Sequence, residues 1–126
     1  MTRQELSRHV ELKKQLAADL KLLATLETAA GSWTQAPTGD AVGALSAEIA
    51  DVKMEIGELE VEIVRSEAAI MRFIATVEDA RTRLVLRLRF IHGLTWKEAA
   101  TVIGGVSEGG IKILCCRYMT RRDARD

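Results

Sequence analysis

RLRFIHGLTWKEAATVIGGVSEGGIKILCCRYM, residues 87–119, carries three short helical patterns separated by two glycine turns. Gly93 follows His92 where the first pattern ends, and glycine supplies the left-handed conformation that a helix C-terminus often needs. Thr95 precedes Trp96, with Glu98 three residues on, the spacing of a capping box. Trp96, Ala99, Ala100 and Ile103 give this helix an inner face, and the paired alanines allow a close crossing. Gly104-Gly105 makes the next turn. Ser107 is placed to cap the last helix, whose inner stripe is Ile111, Leu114, Cys115 and Tyr118. Such an arrangement suits a helix-turn-helix. The remaining residues are read as what carries this module.

The charge distribution singles out the same region. Over all 126 residues the formal charge is zero. Residues 1–80, however, hold 8 basic and 14 acidic side chains, a net of −6, whereas residues 81–126 hold 10 and 4, a net of +6. A basic half beside an acidic one is a recognised hint of nucleic-acid contact. Hydrophobic residues at 48% exclude a disordered composition, and aromatics at only 4% favour helix over sheet. The length suits one domain, or a small domain with a helical extension. No apolar run reaches the ~20 residues that span a bilayer, and the charged N-terminus lacks a signal-peptide core. Cys115 and Cys116 are adjacent on a predicted helix and point apart, so neither a disulfide nor a metal cage is expected. A reducing cytoplasm is the simplest location.

Outward from the module, the heptad pattern dominates. Leu45, Ile49, Val52, Ile56, Leu59, Ile63, Ser66, Ile70, Phe73, Val77, Ala80 and Leu84 step 4,3,4,3 without a slip. A helix over 41–78 is ~57 Å long and must pack along another helix. The other candidate helix spans residues 2–29, with Thr2 and Glu5 as a capping box and Leu6, Leu12, Leu16, Leu20, Leu23 and Leu26 on one face. Lys13 falls inside that arc and Leu22 outside it. Residues 31–40, GSWTQAPTGD, form the linker, with Trp33 read as tucked against the helix ends.

The β-branched a positions fit a parallel dimer, but pairing g with the following e′ sets Glu55 against Glu60′ and Glu62 against Glu67′. An intramolecular antiparallel hairpin instead lays Lys13, Lys14 and Lys21 near the acidic stretch. The hairpin is favoured, and a homodimer through the long helix can be added to it. Asp79 can cap a new helix from Ala80 to about Ile91; alternatively the long helix runs on. The fold expected is therefore all-α: an N-terminal helical hairpin or coiled-coil arm over 1–78, then a helix-turn-helix domain over 79–126.

The segment LRLRFIHGLTWKEAATVIGGVSEGGIKIL resembles region 4 of the sigma-70-type factors. There an Arg-rich helix, a Gly turn, a Thr/Ser-Tyr/Trp-Lys-Glu-x-Ala helix and a Ser-Glu-x-x-Val/Ile-Lys recognition helix follow in that order. It is closer still to small phage and prophage regulators that carry such a domain behind a helical N-terminus. The resemblance covers roughly residues 76–122. It implies a DNA-binding transcription regulator of phage or mobile-element type. Double-stranded DNA would be its partner, RNA polymerase a second candidate, and no cofactor is implied. Carried over by position, Thr95 and Lys97 would lie beside the DNA backbone. Ser107, Glu108, Gly110 and Lys112 would open the recognition helix in the groove. Arg117, Arg121 and Arg122 would contact backbone phosphates.

With Ile111 and Leu114 inside, the outward face of the last helix carries Gly109, Ile113, Cys116 and Thr120, flanked by Lys112 and Arg117. Base readout normally uses Arg, Asn, Gln or Lys. Modest sequence discrimination is therefore expected. The alternative is a coiled-coil adaptor that binds protein and keeps the helix-turn-helix as a structural element. The Arg81, Arg83, Arg87 and Arg89 run is read as a solvated face with phosphate contact as the minority reading, and His9, His92 and Trp96 as structural. No nucleophile with an adjacent base, phosphate loop or paired ligand histidines is present, so no enzymatic activity is expected.

Overall fold

The computed structural model describes residues 1–32 and 39–125; the reading of Trp33 lies outside them. The described chain is all-helical: α1 (Arg3–Gly31), α2 (Gly39–Ala75), α3 (Ala80–Leu86), which runs on into a π-helical turn (Arg87–Ile91), α4 (Trp96–Ile103) and α5 (Glu108–Arg125). No single helix is long and apolar enough to cross a membrane. Packing divides the chain into two bodies, Met1–Val10 with Val64–Asp126, and Glu11–Ile63.

In the first body the helix starts follow the cap residues. Thr2 Oγ1 accepts from the Glu5 amide at 3.1 Å, and Glu5 Oε2 accepts from the Thr2 amide at 3.1 Å. The long helix does break after Ala75. Asp79 Oδ2 accepts from the Thr82 amide at 3.0 Å and from Thr82 Oγ1 at 2.6 Å, starting α3. Those bonds hold the Asp79 carboxyl below its usual pKa. Arg83 Nη1 donates to the Val77 carbonyl at 2.7 Å, satisfying an acceptor that the ended helix leaves open.

The break corrects the heptad reading at its C-terminal end. The seam is half-buried at Leu45, Ile49 and Ser66 and buried at its other positions from Val52 to Val77, but Ala80 is exposed and Leu84 is 44% exposed. Thr82, Val85 and Leu86 point inward instead. The core joins Leu6 of α1 and Ile70, Phe73 and Ile74 of α2 to Val85, Leu86, Phe90, Ala99, Ala100, Ile111, Cys115 and Met119. Met119 is 1% exposed, whereas Leu114 and Tyr118 are only half-buried, so α5 presents Ile111, Cys115 and Met119 at four-residue steps. Burial pushes the Cys115 thiol up to about 12, which keeps it protonated and unreactive.

Polar residues interrupt the α1 and α2 faces together. His9 is fully buried and hydrogen-bonds with Ser66, the one polar position of the α2 seam within the helix. A one-residue slip would set each against apolar neighbours, so the pair fixes register.

In the second body α1 departs from the leucine face read in the sequence. Leu20 is 48% exposed, and Asp19 is buried in its place at 5%. Asp19 Oδ1 accepts from Gln15 Nε2 at 2.9 Å. Its other oxygen is buried with no hydrogen-bond donor. Glu55 lies beside Asp19, and hydrogen bonding of its protonated form to Asp19, with the repulsion between the two carboxylates, raises the Glu55 pKa. Glu27 pairs with Lys53 at 3.6 Å, whereas Lys14 pairs with Glu11 of its own helix at 3.4 Å.

Two outcomes are expected. The Glu55 pKa lies above the ordinary value of 4.5. Its stabilising contribution is therefore present below that value and lost as pH rises through the raised pKa. Glu55→Gln, which keeps a donor for Asp19, should raise the thermal midpoint near pH 7 and leave it nearly unchanged near pH 4. Gly104 has φ 75° and ψ 152°, a region open essentially to glycine. Gly104→Ala should cost about 1–3 kcal/mol in urea unfolding.

Candidate nucleic-acid interface

The surface to consider is built by α4, α5 and the turn between them. Thr95 Oγ1 accepts from the Glu98 amide and Glu98 Oε1 from the Thr95 amide, both at 3.1 Å, completing the capping box. These bonds lower the Glu98 pKa. Gly104 and Gly105, with φ 75° and 69°, turn the chain. Ser107 Oγ then accepts from the Gly110 amide at 2.9 Å. The two helices meet at 99°. Ala99 and Ala100, 0% and 7% exposed, let the helices pack closely. Gly110 also lies close to its cap, because a Cβ there would meet Ser107 Oγ at 3.1 Å.

Upstream, the chain enters this pair through the π-helical turn. The His92 amide donates to the Arg87 carbonyl and the Leu94 amide to the Leu88 carbonyl, both at 3.0 Å. The widened turn carries Phe90 into the core, where its ring meets Trp96 edge-on at 6.2 Å. Gly93, at φ 73°, ends it.

Most of the residues singled out in the sequence are on this surface. Thr95, Lys97, Ser107, Glu108, Gly110, Lys112, Arg117 and Arg121 are exposed. Thr95 and Ser107 spend their hydroxyls on caps, so their availability to phosphate is shared. Gly110, Arg117 and Arg121 border one surface hollow of about 630 Å³ with Ile113, Leu114 and Cys116. Arg122 stands apart from them. Its guanidinium lies 5.3 Å over the Phe73 ring and donates to Thr76 Oγ1 at 3.2 Å, bracing the end of α2.

The arginine run divides similarly. Arg81 and Arg87 are exposed, but Arg83 bonds the Val77 carbonyl and Arg89 is drawn inward. Arg89 Nη1 donates to the Leu94 carbonyl at 3.1 Å, and its guanidinium lies 5.3 Å from the Trp96 ring. Thr120 is exposed as expected but accepts from Arg3 Nη1 at 3.3 Å. The sequence reading did not place Val102, which is 59% exposed beside the turn, or Arg3 at this surface. The outward apolar position Ile113 is 52% exposed. Among the described residues, no three His, Cys, Asp or Glu side chains are grouped to hold a metal ion.

No protein-family model matches the chain, and no curated protein or solved structure matches it.

The unequal roles of the arginines can be measured. Arg89→Ala removes a charged hydrogen bond and a ring contact and should destabilise the protein by about 2 kcal/mol. Arg87→Ala should change stability by less than about 0.5 kcal/mol in the same urea titration.

Proposed function

We propose that the protein is a DNA-binding transcription regulator of phage or mobile-element type. In this reading α4 and α5 form a sigma region 4-like helix-turn-helix, with α5 as the helix that enters the major groove. The observation that carries it is the pair of helices meeting at 99° through a four-residue turn, with Glu108, Gly109, Gly110, Lys112 and Ile113 of α5 exposed to solvent. Helix-turn-helix elements have this crossing and this connection length. Lys112, Arg117 and Arg121 lie along the exposed side of α5, and residues 81–126 carry a net +6. Such groups attract phosphate without regard to sequence. Lys97, near the start of α4, adds a cation where the first helix of such a module crosses the backbone.

The reading assigns α1 and α2 to an antiparallel helical arm for assembly or RNA polymerase contact. In the Glu11–Ile63 body, the pairing of Asp19 with Glu55 and of Glu27 with Lys53 supports it, because one helix ascends as the other descends. The exposed Ile113 and Val102 favour one alternative, a protein-binding adaptor that uses the same face. Ile113 also suits contact with a thymine methyl, but offers no hydrogen bond to a base edge.

Duplex binding over a salt series separates the two. The regulator should bind at low salt and lose affinity steeply as salt rises, and Lys112→Glu and Arg117→Glu should each weaken binding and flatten the slope. Lack of binding to any duplex at low salt would refute the DNA reading and leave the adaptor.

A further inference from the structure

A second heptad seam runs along α2, on the face away from the buried one. From Gly43 to Ala75 every position in an unbroken 4,3,4,3 series is apolar or small. Its large members are Met54, Val61, Val64 and Met71, which are 66%, 52%, 66% and 45% exposed. Its small members, Gly43, Ala47, Ala50, Gly57, Ala68 and Ala75, are all exposed. Relative to the buried seam these are the b and f positions, the ones a two-helix pair turns to water and normally fills with charge. Here the charges of α2 avoid them. Lys53, Glu58, Glu60, Arg65, Glu67 and Arg72 flank the second seam instead.

We infer that this seam is the interface of a parallel homodimer, α2 against α2 of a second copy of the chain. Charge complementarity selects that occupant and that direction. With Met54 and Val61 at a and Gly57 and Val64 at d, the g position of one helix faces the following e′ position of its partner. Lys53 then faces Glu58′, Glu60 faces Arg65′ and Glu67 faces Arg72′. All three pairs are attractive, and two-fold symmetry repeats each of them. The buried seam, read the same way, sets glutamate against glutamate twice. Antiparallel pairing through the second seam is also worse. There e faces e′ and g faces g′, and the central registers set Glu60 against Glu67′ or Glu58 against Glu58′.

Lys53 already holds Glu27 at 3.6 Å and can bridge to both carboxylates. Glu60, Arg65, Glu67 and Arg72 are in no ion pair among the described residues. The glycine and alanine positions let the two backbones approach, and the methionines and valines fill the space between them. The pairing does not depend on what α5 binds.

The test is a charge swap on the full chain, read by sedimentation over a concentration series. The wild type should reach twice its 13.9 kDa mass. Glu60→Lys/Glu67→Lys and Arg65→Glu/Arg72→Glu should each dimerise at least about tenfold more weakly, because each turns attractive contacts repulsive. Mixed, the two variants should recover a heterodimer, since every g–e′ contact is again of opposite sign. That recovery also shows that both variants fold. Gly57→Cys in a Cys116→Ser background should oxidise to a cross-linked dimer, because parallel pairing puts the same d position side by side. A wild type that stays monomeric, or swapped variants that dimerise as well as it does, would overturn the proposal. A Gly57→Cys variant that dimerises but does not cross-link would overturn the parallel direction.

Discussion

The bond set around Asp79 decides how the C-terminal half of the chain is built. A continuous helix through residues 76–84 would have carried Ala80 and Leu84 along the α2 seam and left Val85 and Leu86 on a different face. The Asp79 carboxylate offers the α3 amides a better partner than solvent, and Arg83 closes the Val77 carbonyl that the interruption exposes. With both ends of the break satisfied, the chain can turn. Val85, Leu86 and Phe90 then become the floor on which α4 and α5 pack. Arg122 bonds Thr76 from the far end of α5, so the last helix also braces the break that allowed it to pack.

Caps and glycine turns were legible because each rests on local chemistry, whereas the end of the long helix, read at 78 with its break left open, falls at Ala75. Thr2, Asp79, Thr95 and Ser107 cap because their oxygens reach amides three residues on, and nothing distant needs to be known. Gly93 and Gly104 sit where only glycine relaxes. What escaped depends on partners far away in sequence. Asp19 takes the inward position in place of Leu20, with Gln15 donating to one of its oxygens, whereas hydrophobicity alone ranks the leucine first. The inward series of α1, Leu6, His9, Lys13, Leu16, Asp19, Leu23 and Leu26, steps 3,4,3,3,4,3, and a regular 3,4 alternation from Leu6 would select Leu20 instead of Asp19. Met119 was missed because the stripe read in the sequence, Ile111, Leu114, Cys115 and Tyr118, ends a residue before it, whereas α5 buries Ile111, Cys115 and Met119 at four-residue steps.

Which residues of the candidate surface face outward was legible only in part. Sequence distinguishes an arginine from a leucine, but not an arginine facing water from one facing a carbonyl. Arg81 and Arg87 differ from Arg83 and Arg89 in which backbone oxygens, and for Arg89 which ring, lie within reach. The inward pair holds the frame, leaving a smaller and more widely spaced set of cations at the surface than the run RTRLVLRLR implies.

That thinning bears on how the proposed regulator would recognise DNA. In that proposal a single α5 would offer its exposed Lys112, Arg117 and Arg121 to phosphate and chiefly Ile113 to base edges, a surface better at holding DNA than at choosing a sequence. Two copies joined through α2 would double the phosphate contacts, and the salt dependence of binding scales with their number. A two-fold assembly also multiplies weak discrimination, because each half-site adds its own preference to the total free energy. A module with a modest reading face gains most from such pairing. The apolar series from Gly43 to Ala75 then has a physical reason to resist charged replacements: each would place a charge in the joint on which that added discrimination depends.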